Sequence, residues 1–147
     1  MNNNLYNVSM QYATAEINEI IKQFLAAIAG FQLKLKERDP LNFNKKRRYV
    51  LGMKQCINSI KSGRAKIIFL APDSEASDIL NDVLSNLFDE ANTRGVPIIY
   101  CLSRRLLAKS LGISMRQVAI AVFDADGAYD MFKAIRTFLT DDDNNNT

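Results

Sequence analysis

Lys66-Ile-Ile-Phe-Leu-Ala71 and Pro97-Ile-Ile-Tyr-Cys-Leu102 decide the fold. Each is a short, unbroken apolar run rich in β-branched and aromatic residues, as expected of a strand covered on both faces. Between them Leu80, Val83, Leu84, Leu87 and Ala91 recur at three- and four-residue spacing, which predicts a helix over 77–94 ended by Gly95. Strand, helix and strand in that order make a crossover unit, the building block of an open sheet with helices on both sides.

The same reading extends outward in both directions. Downstream, a short helix over 104–111 stops at Gly112, the loop Ile113-Ser-Met-Arg116 follows, and 117–123 is a third strand. A last helix over 126–139 turns Met131, Phe132, Ile135 and Phe138 inward. Upstream, a helix that starts or breaks near Gly52 and runs to Ser62 has Met53, Ile57 and Ile60 on one side and Lys54, Asn58 and Lys61 on the other. A first amphipathic helix, over 14–37, carries Ile17, Ile20, Ile21, Phe24, Leu25, Ile28 and Phe31. It stops at Asp39-Pro40 because proline disfavours helical geometry in the residue before it. The expected fold is α/β: a three-layer α/β/α sandwich with a mainly parallel, partly mixed sheet, preceded by a long N-terminal helix. One domain over 14–139 is expected. Residues 1–13 and 140–147, polar and low in complexity, are expected to be disordered.

Several function classes lose their chemistry at once. The chain has no histidine, hence neither the commonest general base nor the commonest metal ligand. It has no GxGxxG, P-loop or nucleophile elbow, so no enzyme is expected and no cofactor. Cys56 and Cys101 lie inside apolar segments and read as buried thiols rather than a disulfide or zinc site. Asp73, Glu75 and Asp78 are imaginable as a metal cluster, but carboxylates at a helix start are explained more simply by capping and the helix dipole. No window nears the roughly 18 apolar residues of a membrane span, so a soluble monomer is expected, cytoplasmic or also nuclear.

Charge is distributed unevenly. The net charge is only +3, yet 40–72 contains no Asp or Glu while Lys45, Lys46, Arg47, Arg48, Lys54, Lys61, Arg64 and Lys66 fall within it. A second acid-free window, 91–123, holds Arg94, Arg104, Arg105, Lys109 and Arg116. Thirteen of the nineteen basic residues thus have no acid near them in sequence. If folding joins the two windows, the domain gains a positive face suited to a polyanion; otherwise they are solvated helical faces. A membrane surface is disfavoured, because no segment pairs a basic face with a broad exposed apolar one.

Three stretches carry a resemblance: Gly52-Met-Lys-Gln-Cys-Ile-Asn58, Val96-Pro-Ile-Ile-Tyr100 and Leu111-Gly-Ile-Ser-Met-Arg116. With the order of elements, they resemble the kink-turn-binding proteins of ribosomes and small nucleolar particles, over residues 20–139. Within that superfamily, Lys46-Arg-Arg-Tyr-Val-Leu-Gly52 and Asp126-Gly-Ala-Tyr-Asp-Met-Phe132 resemble the SECIS-binding protein 2 family, as does Phe31-Gln-Leu-Lys-Leu-Lys-Glu-Arg-Asp-Pro40. The resemblance implies binding to RNA kink-turns with tandem G·A pairs, such as the selenocysteine insertion element of selenoprotein messenger RNA. The partners it implies are that RNA, the ribosome and a selenocysteine-specific elongation factor.

The resemblance also assigns roles. Gly52 brings helix amides close to phosphate; Lys54 and Gln55 address the G·A pairs, flanked by Met53, Asn58 and Lys61. Lys45, Lys46, Arg47 and Arg48 hold backbone phosphates. Ile113 and Met115 pack on the extruded nucleotide, Ser114 lies between them in the RNA-binding loop, and Arg116 reaches a phosphate. Lys54, Gln55 and Asn58 stand where the family usually shows Asn, Glu and Lys; a Gln carbonyl still accepts a hydrogen bond, without a carboxylate's charge. Each residue has a plainer reading: Gly52 as a helix break, Lys54, Gln55 and Asn58 as solvent-facing helix, Ile113 and Met115 as loop anchors in the core. The alternatives in function are a kink-turn subunit of another ribonucleoprotein, such as the ribosome, a small nucleolar particle or RNase P, and a protein-interaction scaffold.

Overall fold

A computed structural model describes residues 10–73 and 78–145. Its elements are β1 (Met10–Tyr12), α1 (Ala15–Arg38), a single 3-10 turn (Pro40–Asn42), α2 (Phe43–Lys46), β2 (Tyr49–Leu51), α3 (Met53–Lys61), β3 (Ile67–Leu70), α4 (Asp78–Arg94), β4 (Ile98–Tyr100), α5 (Arg104–Ser110), β5 (Ala119–Val122) and α6 (Tyr129–Asn145). The sheet order is β1-β4-β3-β5-β2. β4 runs parallel to both β1 and β3, whereas β5 runs antiparallel to both β3 and β2, so the sheet is mixed.

Strand alternation divides the core into two layers. Ile67 and Phe69 of β3, with Ile120 and Val122 of β5, face α1, α5 and α6 and pack with Ile21, Phe24, Leu25, Ile28, Phe132 and Ile135. The other face offers Ile68 and Leu70 together with Ala119 and Ala121, against Cys56, Ile57 and Ile60 of α3 and Leu87 and Ala91 of α4. The two alanines of β5 leave room for α3 to lie close to the sheet.

Local chemistry sets most boundaries. Thr14 caps α1, its hydroxyl accepting from the Ile17 amide at 3.2 Å. Asp39 ends that helix ahead of Pro40. Gln32 of α1 reaches the outer edge of β2, where its Oε1 accepts from the Arg48 and Tyr49 amides at 2.6 and 3.2 Å. Edge amides that would otherwise invite another strand are thereby occupied.

Two readings of the sequence need correction. The N-terminal segment expected to be disordered contains β1, in register with β4 through Gln11↔Ile99, and the Tyr12 ring stacks on Tyr100 at 4.8 Å. A three-residue edge strand is too short to show alternation, and its order comes from β4's backbone. At the other end, α6 continues to Asn145 rather than stopping near 139. Residues 140–145 hold neither Gly nor Pro to break it. The helix expected to start or break near Gly52 starts there and has no part before it: Tyr49–Leu51 is the strand β2, because β5 pairs with it. Residues 1–9, 74–77 and 146–147, which include Glu75 of the imagined metal cluster, lie outside the described residues. Among those described, no group of three His, Cys, Asp or Glu is placed to hold a metal ion.

Candidate nucleic-acid interface

The C-terminal end of β2 and the N-terminal end of β5 are neighbours, because Leu51 pairs with Ile120. Gly52 follows β2 directly and donates its amide to the Ala119 carbonyl at 2.9 Å, while its own carbonyl accepts from Cys56 at 2.9 Å. Its backbone, at φ 92° and ψ 154°, occupies a region that only glycine adopts without strain. It is the N-cap of α3 and supplies no side chain to the first-turn amides, which leaves them and the positive end of the helix dipole open to an anion.

The loop before β5 arrives at the same end of the sheet. The Ile113 amide donates to the Ala108 carbonyl at 3.0 Å, and the Ile113 side chain is half-buried against the core, so the anchor reading holds for it. Gln117 is buried and its Nε2 donates to the Met115 carbonyl at 3.0 Å. The loop backbone is thereby held while Ser114, Met115 and Arg116 face solvent, with Met115 75% exposed. A flexible, polarisable side chain projecting from a fixed backbone suits an apolar contact of variable shape. Val118 and Ala119 then join this loop to β3 and to Gly52, through amides donated by Ala71 and Gly52.

On α3, Cys56, Ile57, Ser59 and Ile60 are buried, Met53 is half-buried against the core, and Lys54, Gln55, Asn58 and Lys61 are exposed. Gln55 and Asn58 open onto a cleft of about 320 Å³ that Arg47, Arg64 and Phe123 also line. Sequence reasoning set Arg64 aside as one charge among many. Its guanidinium lies 4.1 Å from the centre of the Phe123 ring, beside the cleft.

The basic segment before β2 enters the sheet at the end opposite to Gly52. Arg48 stands at the opposite end of β2, its carbonyl accepting from the Phe123 amide at 2.7 Å. The three residues of β2 lie between it and Gly52, four steps along the chain or roughly 13 Å. The two groups are instead connected sideways, along α3, through the cleft that Arg47 shares with Gln55 and Asn58.

Within that segment the side chains differ. Arg48 is committed to the protein: Nη1 donates to the Asp126 carbonyl, lies 3.9 Å from Asp124, and the guanidinium sits 4.8 Å from the Phe31 ring centre. Lys46 pairs with Asp39 at 3.4 Å and remains largely exposed. The hydrogen bond from Asn42 holds the Asp39 carboxyl below its ordinary value against the opposing effect of burial, and Lys46 adds to the lowering. Arg47 packs its guanidinium over Phe43, and its buried Nε has no hydrogen-bond partner among the described residues.

Acids from outside the two windows therefore reach into them. Lys46, Arg48, Arg94 and Arg104 are paired with Asp39, Asp124, Glu90 and Asp73. The other nine basic residues of the windows have no carboxylate within 4.0 Å among the described residues. Both thiols are buried and free, and burial pushes Cys101 up to about 12 and raises Cys56 as well.

The profile of the ribosomal protein L7Ae/L30e/S12e/Gadd45 family matches residues 35–132, from the end of α1 into α6. The chain belongs to this family. Gly52, the exposed face of α3 and the Met115 loop all lie within the matched span. Among curated relatives, the selenocysteine insertion sequence-binding protein 2 of Rattus norvegicus is 28% identical over 125 residues, and that of Mus musculus is equally similar. The alignment takes in 83% of this chain and 15% of the rat protein. The selenocysteine insertion sequence-binding protein 2-like of Homo sapiens is 23% identical over 128 residues, 85% of this chain and 12% of that one. The chain thus spans a small part of the length of the relatives it matches. A solved structure, the Giardia lamblia 15.5kD RNA binding protein, superposes with a TM-score of 0.68 over 88% of this chain and 92% of that one, at 15% identity. That likeness establishes the fold.

Proposed function

We propose that this L7Ae-family chain is a non-enzymatic RNA-binding domain that recognises a kink-turn with tandem G·A pairs. Its preferred target is a selenocysteine insertion element in messenger RNA, so that it supports selenocysteine incorporation during translation with the ribosome and a selenocysteine-specific elongation factor. One observation carries the reading: the uncapped start of α3 at Gly52 adjoins, through Ala119, a loop that exposes the large apolar side chain of Met115. A sharply bent RNA presents crowded phosphates next to unstacked bases, and an amide-rich helix end beside an apolar finger complements both. Lys54 and Gln55 are exposed in the first turn, as is Arg116 in the loop, and this supports base-edge contacts for the first two and a phosphate contact for the third. Among the described residues no helix is long and apolar enough to cross a membrane.

The choice of RNA rests on the relatives named for selenocysteine insertion sequence binding. Gel-shift titrations with a selenocysteine insertion element, the same element with its G·A pairs disrupted, and a small-nucleolar kink-turn test it. Tight binding to the first and loss on the second support the reading. Preference for the nucleolar RNA would redirect the assignment to another ribonucleoprotein, and equal binding to all three would end it. Lys54→Ala and Gln55→Ala should weaken the intact element far more than the disrupted one, whereas Lys46→Ala should weaken both alike.

A further inference from the structure

At the far end of β2 from Gly52, a groove of about 600 Å³ opens between α1 and the turn that leads into the sheet. Cations reach it from three separate parts of the chain: Lys34 and Arg38 from the last turns of α1, Lys45 and Arg47 from the turn, and Arg64 from beyond α3. Two acids are present, Asp39 and Asp124, but Lys46 and Arg48 already engage them. The five cations named first have no carboxylate within 4.0 Å among the described residues, so the groove carries a surplus of positive charge. Phe31 and Phe123 contribute rings to it, and each is faced by a guanidinium, of Arg48 and Arg64 respectively.

The groove is continuous with the cleft on α3. Arg47, Arg64 and Phe123 line both, and the cleft leads to Gln55 and Asn58 and so toward Gly52. A cationic track therefore runs from the exposed face of α3 at Gln55 and Asn58 to the end of α1. Sequence alone hides this track, because Glu37 and Asp39 stand beside Arg38 in the chain and make the end of α1 look neutral.

We propose that this groove is a second phosphate-binding site, which takes the backbone of an RNA stem leaving the kink. The inference rests on the RNA-binding reading and extends it from a point contact to a footprint of a few nucleotide steps. A nucleic acid fits better than an acidic peptide because the groove is joined to the surface that would read the kink, and a regular phosphate backbone can follow a track of spaced cations.

The test uses the whole chain, wild type and Lys34→Gln/Arg38→Gln. Both positions are exposed and helical, and glutamine keeps the helix. Kink-turn RNAs with a short and a long flanking stem are titrated at two salt concentrations, together with long-stem RNA lacking its G·A pairs. The wild type should bind the long-stem RNA more tightly than the short. Two phosphate contacts at a slope of about 0.7–0.9 each make that advantage shrink about tenfold between roughly 50 and 200 mM salt. The double variant should match the wild type on short-stem RNA and lose most of the long-stem advantage. Absence of any stem-length effect in the wild type overturns the proposal, as does an equal loss by the variant on both RNAs. Poly-glutamate competing for the groove without a stem-length effect would point to an acidic protein and also overturn it. Failure of the kink reading is separate: it appears as indifference to the G·A pairs, with the stem-length effect still measurable.

Discussion

Replacing Gly52 by alanine separates the cost of its backbone geometry from its service to a ligand. An added Cβ would meet nothing within 4 Å inside the protein, so no packing clash contributes. The cost is backbone strain: an alanine at φ 92°, ψ 154° sits in a region worth about 1–3 kcal/mol of destabilisation. At roughly 2–4 °C per kcal/mol for a domain of this size, thermal unfolding should drop by about 2–12 °C. Gly95, at the end of α4, provides the control. It too has a positive φ, 70°, with open space around it, and alanine there costs about 1–2 kcal/mol. Both variants are compared by circular dichroism melts and by RNA titration well below their midpoints. Both should melt early, but only Gly52→Ala should bind kink-turn RNA more weakly, by more than about tenfold, since its methyl stands where phosphate must approach the α3 amides. If Gly52→Ala binds as the wild type does, or if Gly95→Ala weakens binding equally, the close-approach argument is wrong.

Three further outcomes follow from particular side chains. Met115→Ala should leave the melting temperature unchanged, because the side chain is 75% exposed, yet reduce kink-turn affinity, as read by gel shift. Arg48→Ala should do the reverse, lowering stability by about 1–3 kcal/mol in urea titrations through loss of its bond to the Asp126 carbonyl and its packing on Phe31, with little change in RNA binding. Burial raises Cys101 to about 12, so the folded thiol stays protonated where an unfolded one ionises, and its contribution to stability is lost as pH rises from about 9 toward 12. Iodoacetamide at pH 8 should accordingly modify the native protein slowly and the urea-unfolded chain rapidly; fast native labelling would contradict the burial.

Elements that bury one broad apolar face were legible from the residues alone. α1, α3, α4, α5 and the strands β3, β4 and β5 fall where periodicity puts them, give or take a few residues at the ends. β1 and β2 did not announce themselves, since three residues contain too little pattern and their conformation is imposed by β4 and β5. The start of α6 shifted to Tyr129 because the turn at Asp124-Ala-Asp-Gly127, with Gly127 at φ 88°, takes up the residues before it.

The candidate site divides in the same way. Residue type and spacing alone marked Lys54, Asn58 and Lys61 as one exposed helix face, because a helix of known phase has only one face to bury; Gly52 and Gln55 were singled out by the family resemblance. The chain order also marked two acid-free windows. Tertiary structure alone decided that Lys46 and Arg48 are answered by Asp39 and Asp124 and that Ile113 is an anchor while Met115 is free. It alone also decided that the basic segment lies a strand's length from Gly52 and is joined to it along α3. Charge pairing and proximity depend on which distant segments the sheet brings side by side, and that depends on long-range register, which no local pattern of residues encodes.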